Sequence, residues 1–139
     1  MAVMLNNKVG VKINSVDLSD HVSSITLNRN FDELEVTAMG DTAHRFVKGL
    51  EASSVTINFF NDTATANVLQ TLQAAWGTTV ACVLLQDKSS AVSATNPLYT
   101  FNILVNKTTD INGAVGELAT QDITFTINGA TTVATTGTF

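Results

Sequence analysis

One cysteine, Cys82, and one proline, Pro97, are all that 139 residues contain of either type. A single thiol rules out an intrachain disulfide, a thiolate metal cluster and a CxxC redox pair. Charge is scarce as well: Asp, Glu, Lys and Arg make up 14% of the chain, against about 25% in an ordinary soluble domain. Basic residues are the scarcer kind, seven against twelve acidic, and the net charge of -5 has the wrong sign for holding nucleic acid by its phosphates. No apolar run approaches membrane-spanning length. The opening MAVMLNNKVG lacks the basic stretch and apolar core of a secretory signal. The expectation is a soluble, unexported chain with no membrane partner.

Sites for chemistry are missing too. His21 and His44 stand in separate segments without the HxxxH or HExxH spacing that brings two imidazoles to one metal. No GxSxG elbow presents a serine nucleophile, and no GxxxxGK[ST] or GxGxxG loop cradles phosphate. Asp17 with Asp20, and Glu33 with Glu35, have the close spacing usual in acidic loops and do not form a general acid–base pair. Cys82 sits in the apolar run TVACVLL, where burial raises a thiol's pKa and leaves it inert. No catalytic residue, metal ligand or cofactor site is expected, and the chain reads as non-enzymatic.

What the chain has is alternation. Val9, Val11 and Ile13 alternate with Lys8 and Lys12, and Ile25 and Leu27 with Ser24, Thr26 and Asn28. Val55, Ile57 and Phe59 alternate with Ser54, Thr56 and Asn58; Tyr99, Phe101, Ile103 and Val105, and then Ile123, Phe125 and Ile127, follow the same rule. Period two marks half-buried strands. Residues 79–85 are apolar on both faces, as in a central strand covered on both sides. One helix is predicted over residues 63–76, with Val68, Leu69, Leu72, Ala75 and Trp76 on its core face, Asp62 or Thr63 at its start and Gly77 past its end. Residues 87–97 and 112–117 read as loops. No repeat or linker divides residues 1–139, so a single, mainly β domain is expected.

Residues 31–53 stand apart, with seven of the nineteen Asp, Glu, Lys and Arg residues between two good strands. Leu34 with Val36, and Phe46 with Leu50, predict short strands paired into an arm around Met39, Gly40 and Asp41. Excursions this long in a compact domain are usually functional or disordered. Scarce charge elsewhere leaves too little to cover a monomer's surface, which points to self-contact.

Residues 11–62 carry a DLSDHV turn (17–22), an acidic EVTAMGDT arm (35–42), an R-x-x-x-G-L segment (45–50) and a strand ending in FF. This pattern resembles the tail tube (major tail) proteins of long-tailed bacteriophages. The likeness continues through the helix, the loop AVSATNPLYT (91–100) and GELATQDITFTINGA (116–130). The resemblance implies a β-sandwich or barrel with one flanking helix, and hexameric rings stacked into a tube whose inner barrel is built from strands of every subunit. It also implies an arm that links rings, and a place in the virion tail after assembly in the host bacterial cytoplasm. The partners implied are further copies, a tape measure protein filling the lumen, tail tip and tail terminator proteins, and DNA in transient passage.

The polar strand faces carry no Lys or Arg: Ser24, Thr26 and Asn28; Ser54, Thr56 and Asn58; Asn102; Asp122, Thr124, Thr126 and Asn128. These are the expected lumen-lining residues, because a weak phosphate contact repeated on every subunit would add up to strong retention of DNA. Asp32, Glu35, Met39, Asp41, Arg45 and Val47 are the expected inter-ring arm residues. A different class of function, a carbohydrate- or receptor-binding β-sandwich at a virion or cell surface, also uses Thr, Asn and Asp on sheet faces. It needs an aromatic platform, and Trp76, expected in the core, does not offer one.

Overall fold

Alternating stretches become strands wherever one face finds a core. A computed structural model describes residues 3–139. In chain order the elements are β1 (Gly10–Ile13), β2 (Val16–Asp17), a 3-10 turn (Ser19–His21), β3 (Val22–Asn28), β4 (Phe31–Glu35), β5 (Phe46–Glu51), β6 (Ser54–Phe60), α1 (Val68–Ala74), β7 (Thr79–Leu85), β8 (Leu98–Leu104), β9 (Thr120–Ile127) and β10 (Thr132–Ala134). The fold is mainly β, with one α-helix among the described residues. The strands form two sheets. The larger runs β2-β1-β7-β8-β9-β6-β3 with β10 added beside β8, and the smaller pairs β4 with β5.

Every pairing is antiparallel. β1 returns as β2 through Asn14 and Ser15, both at positive φ (51° and 66°), the geometry of a two-residue hairpin turn that matches strand twist. The larger sheet has a narrow seam. β8 and β9 meet over two residue pairs, Ile103 with Ile127 and Leu104 with Thr126, and the earlier part of that β8 edge takes β10 instead. Val11, Ile13, Cys82, Leu84, Phe101 and Ile103 from one side of the seam share a single buried cluster with Val55, Ile57, Phe59, Ile123, Phe125 and Ile127 from the other. The sheet therefore folds over at the seam, and each fully buried side chain contributes about 1.5–3 kcal/mol of apolar transfer energy. None of the ladders closes the sheet into a barrel: β3 and β2 end the path.

The helix is shorter than its sequence pattern. It begins at Val68 after Asn67, whose side chain makes no capping bond, and its last residue is Ala74. Asp62 caps no helix; its carboxylate accepts the Ala64 N–H at 2.8 Å and its carbonyl accepts the Leu69 N–H at 3.1 Å, so residues 62–67 form a turn. Val68, Leu72 and Ala75 are buried as expected, but Trp76 lies past the helix and is 56% exposed. Gly77 takes the left-handed conformation predicted for it (φ 75°) and donates to the Val105 carbonyl at 2.7 Å. β7 is central, between β1 and β8, but only partly covered on its second face: Thr79 and Ala81 are exposed and Val83 half-buried. That face packs on nothing as large as the core.

His21 ties the turn before β3 to the turn after β6, its Nε2 lying 2.7 Å from Asp62 Oδ2. The Ala64 N–H first, and His21 second, hold the Asp62 carboxyl below the usual carboxylate range. A depressed folded pKa contributes stability that is present above the unfolded value, about 3.9, and is lost as pH falls through the folded value. The urea midpoint is therefore expected to fall on acidification below about pH 4, and Asp62→Asn to flatten that dependence. Equal slopes in the two proteins would show that Asp62 is not a source of it.

Candidate functional site

β6 is hydrogen-bonded on both sides, so its alternation aligns three strands. Ser24 stands opposite Asn58 and Asn58 opposite Asp122; Thr26, Thr56 and Thr124 form the next row; Asn28, Ser54 and Thr126 form a third. Thr56 and Thr124 join hydroxyls at 3.0 Å, a cross-strand pair that stiffens the face. Asn128 continues the face past the end of β9, donating its amide to Thr79 Oγ1 at 3.2 Å and its backbone N–H to the Asn102 carbonyl at 2.8 Å. All the polar strand residues singled out from sequence thus lie on one outer side of the larger sheet.

That side bears no Lys or Arg across β3, β6, β9 and β8. Its one carboxylate there is Asp122. Following the outer side onward through Thr79, Ala81 and Val83 of β7, the first cation met is Lys12 on β1. Its ammonium lies 4.4 Å from the centre of the Phe139 ring, which rests directly on Gly10, where an added Cβ would stand 2.8 Å from the ring. The negative face of the ring attracts the ammonium and helps hold it in place.

The arm is the smaller sheet. Glu33 pairs with Lys48, Leu34 with Val47 and Glu35 with Phe46, and a bulge near Gly49 lets Phe31 pair with Glu51 at the root. Lys48 lies 4.5 Å over the Phe31 ring. Glu35 receives Thr37 Oγ1 at 2.9 Å and lies 2.5 Å from His44 Nδ1, and Thr37 Oγ1 in turn accepts the Arg45 N–H at 2.9 Å. At the tip the Asp41 carboxylate accepts the Ala38 N–H at 2.8 Å and faces Arg45 at 3.7 Å. Gly40 turns the chain at φ 93°, leaving Met39 at the apex, 103% exposed. Asp32, Glu35, Met39, Asp41, Arg45 and Val47 are therefore brought together on one projecting hairpin.

Seven large apolar residues of this hairpin are exposed: Phe31, Leu34, Val36, Met39, Phe46, Val47 and Leu50. An isolated two-stranded hairpin is marginal in water, and these apolar side chains lie outside the buried core. Sequence reasoning missed a second such patch. Ile111, Val115 and Leu118, in the loop before β9, are exposed, and so is Trp76 nearby. Their only signal was apolar residues set among glycines in INGAVGEL, with no period to read.

Cys82 is buried, and burial pushes its thiol up to about 12. It is protonated at neutral pH. Among the described residues no cluster of three or more His, Cys, Asp or Glu is placed to hold a metal ion, and no helix is long and apolar enough to cross a membrane.

The tip network predicts a local effect. Asp41→Ala should speed amide exchange across residues 37–45, removing a bond worth about 1 kcal/mol, while the urea midpoint of the body stays unchanged. A lowered midpoint would show the arm to be part of the body's cooperative unit. No protein-family model matches this chain, and no curated protein sequence matches it.

Proposed function

We propose that this chain is a structural subunit that polymerises, as stacked and hexameric rings, into the tail tube of a long-tailed phage. The observation that carries the reading is the hairpin arm: a segment with seven exposed apolar residues whose hydrogen bonds, among the described residues, lie within it and at its root, where Glu51 accepts the Thr131 N–H at 3.3 Å, suits a connector between copies. The larger sheet, folded over one core, serves as the sandwich of the subunit, and its polar outer side faces the lumen. There the absence of Lys and Arg has a use. One phosphate contact per subunit, summed along a tube, would hold DNA instead of passing it.

The same reading supplies the remaining partners: a tape measure protein in the lumen before DNA passes, and tail tip and terminator proteins at the two ends. The subunit then belongs to the virion, after assembly in the bacterial cytoplasm. β3 offers an open edge seven residues long to a neighbour in the ring. Unpaired edges aggregate unless closed, and a ring closes them.

A carbohydrate-binding module is favoured by one observation, the exposure of Trp76 beside Gln73, Thr108 and Asp110, which line a cleft of about 230 Å³. An indole face with polar groups around it suits a sugar ring. Electron microscopy of the concentrated protein separates the two: rings or tubes are expected, and monomers at every concentration would reject the tube reading. In a tailed particle carrying Thr126→Lys, tubes should form and DNA release should slow. Release at the normal rate would remove Thr126 from the lumen wall.

A further inference from the structure

The arm needs a receiver, and the topology restricts where it lies. The arm leaves the body between Asn28 and Ser54, at one end of β3 and β6. β6 then runs seven residues away from it, about 20 Å at roughly 3.4 Å per residue. At the far end Asn61 anchors the loop before β9. Its N–H donates to the Ala119 carbonyl at 2.9 Å and its side-chain amide to the Asp110 carbonyl at 3.1 Å, and the Thr120 N–H closes on the Asn112 carbonyl at 3.2 Å. Ile111 and Val115 of this loop are fully exposed, 99% and 106%, and the Trp76 cleft opens beside it on Thr108 and Asp110.

One chain thus carries two uncovered apolar patches at opposite ends of the same strands. Two different patches that complement each other across copies make a head-to-tail contact, which grows openly unless its rotation closes a ring; patches at opposite ends of the same strands favour growth along those strands, as a stack. We infer that the arm of one copy docks on the Trp76 end of a second copy in the next layer, with Met39 entering the cleft against the indole and Ile111, Val115 and Leu118 covering Leu34 and Val47. This rests on the tube reading and names the arm's partner surface. Met39 is suited to the part, since a flexible thioether fills an irregular gap and makes favourable contact with an aromatic ring. A second cleft, of about 300 Å³, lies inside the free edge of β3 against Ile25, Leu27, Tyr99 and Arg29. It opens near the arm's own root, so an arm docked there would join like ends of two copies, whereas stacking in one direction joins opposite ends.

Trp76 is the chain's only tryptophan, so its fluorescence reports the receiver without any substitution. On polymerisation of the full chain, Trp76 emission should shift to the blue and lose its quenching by acrylamide. Met39→Asp, at a position whose side chain is fully exposed in the free subunit, should raise the critical concentration about tenfold, the loss of one good contact. Oxidised tubes of the double variant Met39→Cys, Gln73→Cys should give a ladder of cross-linked chains, with buried Cys82 silent. Unchanged Trp76 emission in wild-type tubes would overturn the assignment, as would cross-linking of Met39→Cys to Ile25→Cys in place of Gln73→Cys. Either result leaves the arm as the connector. A wild-type chain that never polymerises overturns the tube reading and this one together.

Discussion

Because β6 is hydrogen-bonded to β3 on one side and β9 on the other, its inward residues Val55, Ile57 and Phe59 decide which way three strands face. A slip of one residue in the β6–β9 ladder would turn Ile123 and Phe125 outward and bury Thr124 and Asp122, and one in the β3–β6 ladder would turn Ile25 and Leu27 outward. The cost of burying an unpaired carboxylate and losing two core side chains fixes the register. The polar outer face is thus a by-product of a core that cannot be built another way, and its chemistry is free to vary. That freedom is what makes its composition informative: nothing in the fold forbids Lys at Thr56 or Thr126, yet three adjacent rows carry hydroxyls, amides and one carboxylate.

The arm follows a different rule. Its strands pair over only a few residues, and its apolar side chains have no core to enter, so polar bonds at the tip take over the work of holding its shape. Asp41 closes the turn, Thr37 bridges to the Arg45 backbone, and Glu35 gathers Thr37 and His44. Each is worth about a kilocalorie or less at an exposed site. Together they keep the hairpin's apolar side chains in a fixed arrangement, the kind of preorganisation that lowers the ordering cost of a contact.

Strands were legible in the sequence where alternation ran five residues or more: Ser54 to Phe59 and Ile123 to Ile127 could be read directly, and so could the arm, from Leu34 with Val36 and Phe46 with Leu50. The helix was legible in its middle but not at its ends. Asp62 looks like a helix cap because it can accept an N–H, and it does accept one, from Ala64; but Ala66 then turns to φ 61° and delays the helix to Val68. Trp76 was misplaced for the matching reason. The eight-residue spacing from Val68 puts it on the core face only if helix continues to it, and the helix stops two residues short. β2 and β10, with two and three residues, are too short to show a period at all. The patch formed by Ile111, Val115 and Leu118 depends on a loop's folding and on Asn61 from another segment, which no local pattern records.

The placement of the few cations ties these features together. Lys88 is held by Asp17 at 2.7 Å, Arg45 faces Asp41, Lys48 lies over Phe31 and Lys12 under Phe139. Four of seven cations therefore have a partner on the chain itself, and none stands on the outer side of β3, β6 or β9. A surface that merely avoided charge for solubility's sake would gain nothing from this, since isolated exposed lysines are the ordinary means of staying soluble. On the proposed tube reading this segregation has a use, since a side that faces a polyanion must not bind it while the remaining surface makes contacts between copies. On that reading the scarcity of charge and the exposed apolar arm have a common origin. A subunit covered by neighbours in such a tube would need little charge for solvent, and the cations this chain keeps stand away from the faces of β3, β6 and β9 proposed to line the lumen.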